Sequence, residues 1–332
     1  MDEKMLEELD ILKEKADKGD ERAMHDYAML IVNDEPQVAF RYMKMAAELE
    51  EPRAMNDLGV YYATGVGCIE DRDMGVSYFK KAAEYGDANG QRNYALAVEE
   101  RDPKLAYRYM IMAANQKNRD AMNDLGLYYK HGIGTNANKD KAIEWTKKAA
   151  DLGDDNGSRN YANLVYDIRP EEAFKYMFFA ANKGNIDAKY DLAQFYKNGI
   201  GISPNEDKYL ELLKEAALEG DMIAQKEYAL LKVWEDPTDA FRFMQEAAFK
   251  GDVEAMVYLA DFYYQGTGKE ENKEAAKEWY REAADLGNAY AARCYGELIL
   301  DEDENDAIYY LEYARDHGDD GAQSILEKLK RK

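Results

Sequence analysis

The chain has only two cysteines, three histidines and six prolines in 332 residues, and its basic residues fall well short of its acidic ones, 44 against 67. Two cysteines, Cys68 and Cys294, cannot supply a disulfide framework, and neither sits in a cluster of metal-ligand spacing. His25, His131 and His317 fall at unrelated places along the chain, so no metal and no other cofactor is expected. The formal charge of −23 works against nucleic acid, whose phosphate contacts need compensating cations. It fits a neutral or basic protein partner, and equally the solubility of a long exposed surface. No apolar run reaches the length needed to cross a bilayer, and the start of the chain, with Asp2, Glu3 and Lys4, carries no signal-like stretch. Membrane insertion is therefore not expected, and cytoplasmic residence is the default expectation.

What the sequence does have is a period. Ala54, Leu58, Tyr62, Gly65 and Gly67 return as Ala121, Leu125, Tyr129, Gly132 and Gly134. They return again from Ala188 to Gly201 and from Ala255 to Gly268, each time after 67 residues. A second series starts at Ala23, Gly90, Gly157, Ala224 and Ala291 with the same step. Self-similarity of this kind is the signature of a stacked repeat protein, in which each unit packs only on its neighbours. The two series alternate as short and long units.

Several columns give the units their form. Pro36, Pro103, Pro170 and Pro237 mark the starts of second helices, since a first turn does not use the missing N–H. Alanine pairs, from Ala46 and Ala47 to Ala283 and Ala284, let helix axes approach closely. The Gly-x-Gly turns of the long units are expected to end a helix in the left-handed conformation and then relieve crowding. Tyr27, Tyr62, Tyr94, Tyr129, Tyr161, Tyr196, Tyr228, Tyr263 and Tyr295 repeat with the period and read as core rings. An opening helix with Leu6, Leu9, Leu12 and Ala16 on one side reads as a cap. The expected layout is a single all-α solenoid over 1–332: a cap helix in 1–19, nine helix pairs in 20–320 and a last helix in 321–332.

These residues, with Ala142, Trp145, Ala149, Ala150 and Gly153 in the second helix of one unit, resemble the Sel1-like repeat, a relative of the tetratricopeptide repeat. The resemblance implies a right-handed α-α superhelix of alternating short and long hairpins. It also implies a concave side, lined by first helices, that binds protein segments in adaptors. The secreted branch of the family staples each unit with a disulfide, and those cysteines are missing here.

No catalytic constellation stands out. The sequence His131 to Gly134 lacks the Gly-Lys-Ser/Thr continuation of a phosphate loop. The acidic run Asp301 to Asp306 lacks the central glycine of a calcium loop and reads as a helix start. No nucleophile has an identifiable base.

The informative column lies on the first helices. His25, Arg92, Arg159, Lys226 and Arg293 form a basic series in an acidic chain. Asn93 and Asn160 stand beside it, and the long units present Asn56, Asn123, Tyr190 and, one place further on, Tyr258. One reading pairs the basic residues with neighbouring acids: Arg92 with Asp57 or Asp124, Arg159 with Asp124 or Asp191, Lys226 with Asp191. The other makes them a groove in which arginine and asparagine hold an extended peptide, with Tyr190 and Tyr258 as aromatic contacts. The functional expectation is a non-enzymatic protein- or peptide-binding adaptor. Alternatives are a regulator of an enzyme partner, an enzyme with a site built from distant residues, and a glycan or cell-wall binder if the chain is exported.

Overall fold

The computed structural model describes residues 3–329, with side chains from Glu8 onward, so the side chain of Leu6 lies outside the described residues. Short polar residues decide where helices begin. Asp20, Asp87, Asn118, Asp154, Asn185, Asp252 and Asn288 each accept the N–H three residues on, satisfying a donor that the first turn leaves free. All four expected prolines are the first residue of a helix.

Twenty helices and no strand are found among the described residues, and they fall into two units, 1–180 and 181–332. The first unit opens with α1 (Glu3–Asp17), then α2 (Glu21–Ile31) and α3 (Pro36–Glu48), α4 (Pro52–Thr64) and α5 (Arg72–Glu84). It continues with α6 (Ala88–Val98) and α7 (Pro103–Asn115), α8 (Arg119–His131) and α9 (Lys139–Asp151), and α10 (Asp155–Val165) and α11 (Pro170–Asn182), in whose last turn the division falls. The second unit holds α12 (Ile186–Asn198) and α13 (Glu206–Glu219), α14 (Met222–Lys232) and α15 (Pro237–Phe249), and α16 (Val253–Gln265) and α17 (Lys273–Asp285). It ends with α18 (Ala289–Ile299), α19 (Glu304–Asp316) and α20 (Asp320–Leu329). Short and long hairpins alternate as expected, and the first helices alternate with them, 11 residues in the short pairs and 13 in the long.

From α1 to α10, and again from α12 to α20, each helix packs on the next, and α4 with α6 and α8 with α10 also meet first helix to first helix. The alanine pairs are buried, and Met43, Met110, Met177 and Met244, spaced by the period, are fully buried beside them. Four of the repeat tyrosines stand against a second ring of the same hairpin. Tyr27 on Tyr42, Tyr94 on Tyr109, Tyr161 on Tyr176 and Tyr295 on Tyr310 form edge-to-face pairs with centroids 4.8 to 5.0 Å apart. Tyr62, Tyr196 and Tyr295 keep an exposed edge, while the other six are buried.

The long turns are locked in one shape. Gly65 ends α4 with φ 73° and Gly67 follows at 69°. A Cβ on Gly67 would lie 2.0 Å from the Pro36 carbonyl oxygen, so the turn seats directly on the start of α3. Gly134 on Pro103 and Gly268 on Pro237 repeat the approach at 1.9 Å. The backbone closes each loop in the same way: Asp71 to Tyr62 at 2.7 Å, Asn138 to Tyr129 at 2.7 Å and Asn272 to Tyr263 at 2.8 Å.

Candidate functional site

The first helices carry two columns of polar side chains, set one residue apart, and in the first unit both are joined into ladders. In one, the basic residue of a short repeat reaches an acid 32 positions on. His25 Nε2 lies 2.8 Å from Asp57, with Nδ1 2.8 Å from Asp26, and Arg92 Nε donates to Asp124 at 2.6 Å. Burial pulls the His25 imidazole down, but the bonds to Asp57 and Asp26 outweigh it and the group sits above its ordinary value. Burial is likewise the largest influence on Asp124, holding it above its ordinary value despite Arg92. Arg159, at the same register on α10, is also partnered.

The second ladder spans 37 positions. Asn93 Nδ2 donates to Asn56 Oδ1 at 2.8 Å, and Asn160 Nδ2 donates to Asn123 Oδ1 at 2.8 Å. Asn56 and Asn123 are buried. These bonds use the amide groups for which the sequence offered peptide contact as one reading.

The second unit keeps the register and changes the chemistry. Tyr190, where Asn56 and Asn123 stand, is half-buried against the core and bonds Glu227, the counterpart of Asn93. Burial, with that carboxylate, raises the Tyr190 phenol. Tyr190 is therefore a packed residue, where the sequence suggested an aromatic contact in a groove. Glu227 also accepts from Gln194 at 2.8 Å, Lys197 at 2.9 Å and Tyr209 at 2.8 Å. The Lys197 ammonium thus sits between a carboxylate, a phenol and the Tyr209 ring face, 4.8 Å from its centroid.

Where the next acid of the column would fall stands Tyr258, which is exposed. Lys226 bonds Asp252 at 2.9 Å and Glu254 at 2.7 Å, where the sequence suggested Asp191. Arg293 pairs with Asp319 at 3.0 Å and Glu297 at 2.6 Å, its guanidinium 4.9 Å from the Tyr290 ring centroid.

At this last long repeat the polar ladder is interrupted, because its two rungs are Val257 and Cys294. Two adjoining hollows open beside them, of about 310 and 330 Å³, sharing Asp261 and Tyr290. Tyr258 and Glu254 line one; Tyr264, Tyr280 and Cys294 line the other. Asp261 accepts from the Tyr280 hydroxyl and bonds the Tyr290 hydroxyl. Burial is the largest influence on Asp261 and raises its carboxyl in spite of these bonds. Burial also pushes the Cys294 thiol up to about 11, so it is a neutral wall at ordinary pH.

Asp261, Tyr280 and Tyr290 escape a reading that looks for recurrence, because they are departures from it. Asp261 occupies the column of Val60, Leu127 and Gln194, and Tyr280 that of Phe79, Thr146 and Leu213. On the 67-residue step Asp261 stands out as a carboxylate in an otherwise uncharged column, a signal that marks Asp261 but not its tyrosine partners. Among the described residues no group of three His, Cys, Asp or Glu side chains is placed to hold a metal ion. No helix among them is long and apolar enough to cross a membrane.

A stack of two-helix repeats with paired first helices is the architecture of helical-repeat scaffolds. The family model for the Sel1 repeat matches residues 23–50, 52–87, 84–118, 119–154, 167–185, 186–221, 253–288 and 289–319, and the chain belongs to the Sel1 repeat family. The hairpin α14–α15 lies outside these matches but keeps the same form. The chitin synthase regulator of Saccharomyces cerevisiae is 27% identical over 67% of this chain and 36% of its own length. The exopolysaccharide production negative regulator of Rhizobium meliloti is 26% identical over 40% of this chain and 57% of its own. The chain thus spans little more than a third of the yeast relative's length. The crystal structure of a Sel1 repeat protein from Oxalobacter formigenes superposes with a TM-score of 0.64 at 24% identity, covering 87% of this chain and 89% of that one, a likeness of fold.

Proposed function

We propose that this Sel1 repeat chain is a non-enzymatic regulatory adaptor that binds a segment of a partner protein along its first helices, with the α16–α18 region as the principal contact. One observation carries the reading. Among the first-helix side chains, most polar groups of the repeat register are taken up by neighbours, whereas Tyr258 and Tyr290 remain exposed over hollows at the interrupted ladder. Half-exposed tyrosines beside a concavity are the side chains that dominate protein interfaces, since they bury much area with few rotatable bonds. The partnered residues then hold the first helices of each unit in register: His25, Asn56, Arg92, Asn93, Asn123, Arg159 and Asn160 in the first, and Tyr190, Lys226 and Arg293 in the second. Cytoplasmic residence belongs to this reading and is tested by fractionating the source cells.

A more specific form takes the partner to be an enzyme or regulator of polysaccharide production. It is favoured by the names of two relatives, one a regulator of chitin synthase and the other of exopolysaccharide production. Affinity capture from an extract of the source organism, with the intact chain and with Tyr258→Ala plus Tyr290→Ala, tests the reading. A protein retained by the intact chain and lost with the double variant is the expected result. Equal retention by both would remove the α16–α18 face from the account, and turnover of a small molecule abolished by one substitution would replace the adaptor with an enzyme.

A further inference from the structure

The repeats themselves say what the hollow beside Asp261 lacks. In the preceding long repeat, the Lys197 ammonium is held by the Glu227 carboxylate at 2.9 Å, the Tyr209 hydroxyl at 3.3 Å and the Tyr209 ring face. One period on, the lysine column carries Tyr264 and the Glu227 column carries Cys294. The carboxylate has moved to Asp261, three residues before Tyr264, and the space is an open hollow of about 310 Å³.

The remaining groups still suit a cation. Asp261 is held by two neutral phenol hydroxyls, Tyr280 and Tyr290; the Arg293 guanidinium acts on it only through space, being itself paired with Asp319 and Glu297. Asp57 and Asp124, its near neighbours in the register of earlier repeats, are by contrast matched by His25 and Arg92. Tyr264 and Tyr290 present half-exposed rings at the rim, and Tyr290 already carries the Arg293 guanidinium on one face. Ring faces and a carboxylate together attract an ammonium or guanidinium. The volume is at the lower limit of ligand sites, about 300 Å³, which is room for one long side chain.

Resting on the binding face proposed above, we propose that the hollow between α16, α17 and α18 receives a lysine or arginine side chain from an extended segment of the partner, in the role that Lys197 plays internally one repeat earlier. The formal charge of −23 steers such a segment towards the chain, and the hollow gives the one basic side chain a fixed seat.

The test uses fluorescein-labelled nine-residue peptides of glycine and serine, capped at both ends, with a single central Lys, Arg, Gln or Glu. Binding to the full chain is read by fluorescence anisotropy at 0.15 M salt. The Lys or Arg peptide is expected to bind at least ten-fold more tightly than the Gln and Glu peptides. Asp261→Asn, which keeps an acceptor for the tyrosines, is expected to lower that affinity at least ten-fold. Tyr264→Lys, which restores the lysine of the preceding repeat in the chain itself, should block the site while leaving the thermal midpoint unchanged or higher. Glu70→Gln removes the same charge from the α4–α5 turn and should change nothing. Equal binding of the Gln peptide, or an equal loss with Glu70→Gln, would overturn the proposal by reducing it to diffuse attraction. If Asp261→Asn and Tyr264→Lys leave capture of the native partner intact while Tyr258→Ala plus Tyr290→Ala removes it, the basic seat falls and the binding face stands.

Discussion

Asn93 gives a side-chain N–H to the buried amide oxygen of Asn56 at 2.8 Å, tying α6 to α4 through their first-helix faces. The same bond joins Asn160 to Asn123 one period later, Tyr190 and Glu227 form its counterpart in the second unit, and Val257 with Cys294 end the series. The asparagines thus hold the first helices of the first unit at a fixed spacing.

Asn93→Ala leaves the Asn56 oxygen unpaired in a buried site and should destabilise the chain by about 1–3 kcal/mol. Adding Asn56→Val, the residue type found at Val257, should recover at least half of that loss. Urea unfolding followed by helical circular dichroism reads both. A double variant as unstable as the sum of the singles would mean that the ladder is not what Asn56 serves.

Two glycines separate backbone strain from lack of space. Gly86 has φ 89° with open space around its missing Cβ, whereas Gly67 has φ 69° and would bring a Cβ to 2.0 Å from the Pro36 oxygen. Gly86→Ala should cost about 1–2 kcal/mol, the left-handed penalty alone. Gly67→Ala should exceed it by a further 1–3 kcal/mol, roughly, because the turn must lift from α3. Equal shifts in thermal midpoint would show that the turn is not seated on Pro36.

The scaffold was legible because repetition multiplies weak signals. One proline or glycine says little, but Pro36, Pro103, Pro170 and Pro237 in step do mark four helix starts. The glycine turns and tyrosine columns followed for the same reason. Partner choice was less legible, because the period fixes which residues face one another and not which of several acids a long side chain reaches. Lys226 illustrates this: Tyr258 stands where the matching acid would be, and the ammonium goes to Asp252 and Glu254. Asp261 and Tyr280, 19 residues apart on α16 and α17, become visible as a pair only after the hairpin is closed.

Tyr129 is buried and pairs edge-to-face with Tyr107, their hydroxyls 2.7 Å apart. Tyr129→Ala should cost about 3–5 kcal/mol as a large core truncation. Tyr190→Phe, which keeps the packed ring and loses only the bond to Glu227, should cost about 1 kcal/mol. The comparison is read from unfolding midpoints, and a reversed order would contradict the placement of the repeat tyrosines in the core.

Asp154, the buried cap of α10, is pushed up to about 6 from an ordinary 3.8, chiefly by burial, against the Gly157 N–H and with the Asp120 carboxyl adding to it. A group raised on folding binds its proton more tightly in the folded chain. Its contribution is complete below pH 3.8 and is lost as pH rises through 6, so stability falls with rising pH in that window. Asp154→Asn keeps the capping oxygen and removes the titration. The thermal midpoint of this variant relative to the parent should therefore rise between those two values, and a constant difference would show that Asp154 does not titrate there.

The central claim is that a partner segment lies along α16 and α18, and photo-crosslinking tests it most directly. A benzophenone amino acid placed at Tyr258, and separately at Tyr309 on the exposed face of α19, is activated in cells of the source organism. The expected result is a discrete protein adduct from position 258 and none from 309. Adducts of equal yield from both positions, or from 309 alone, would contradict the account.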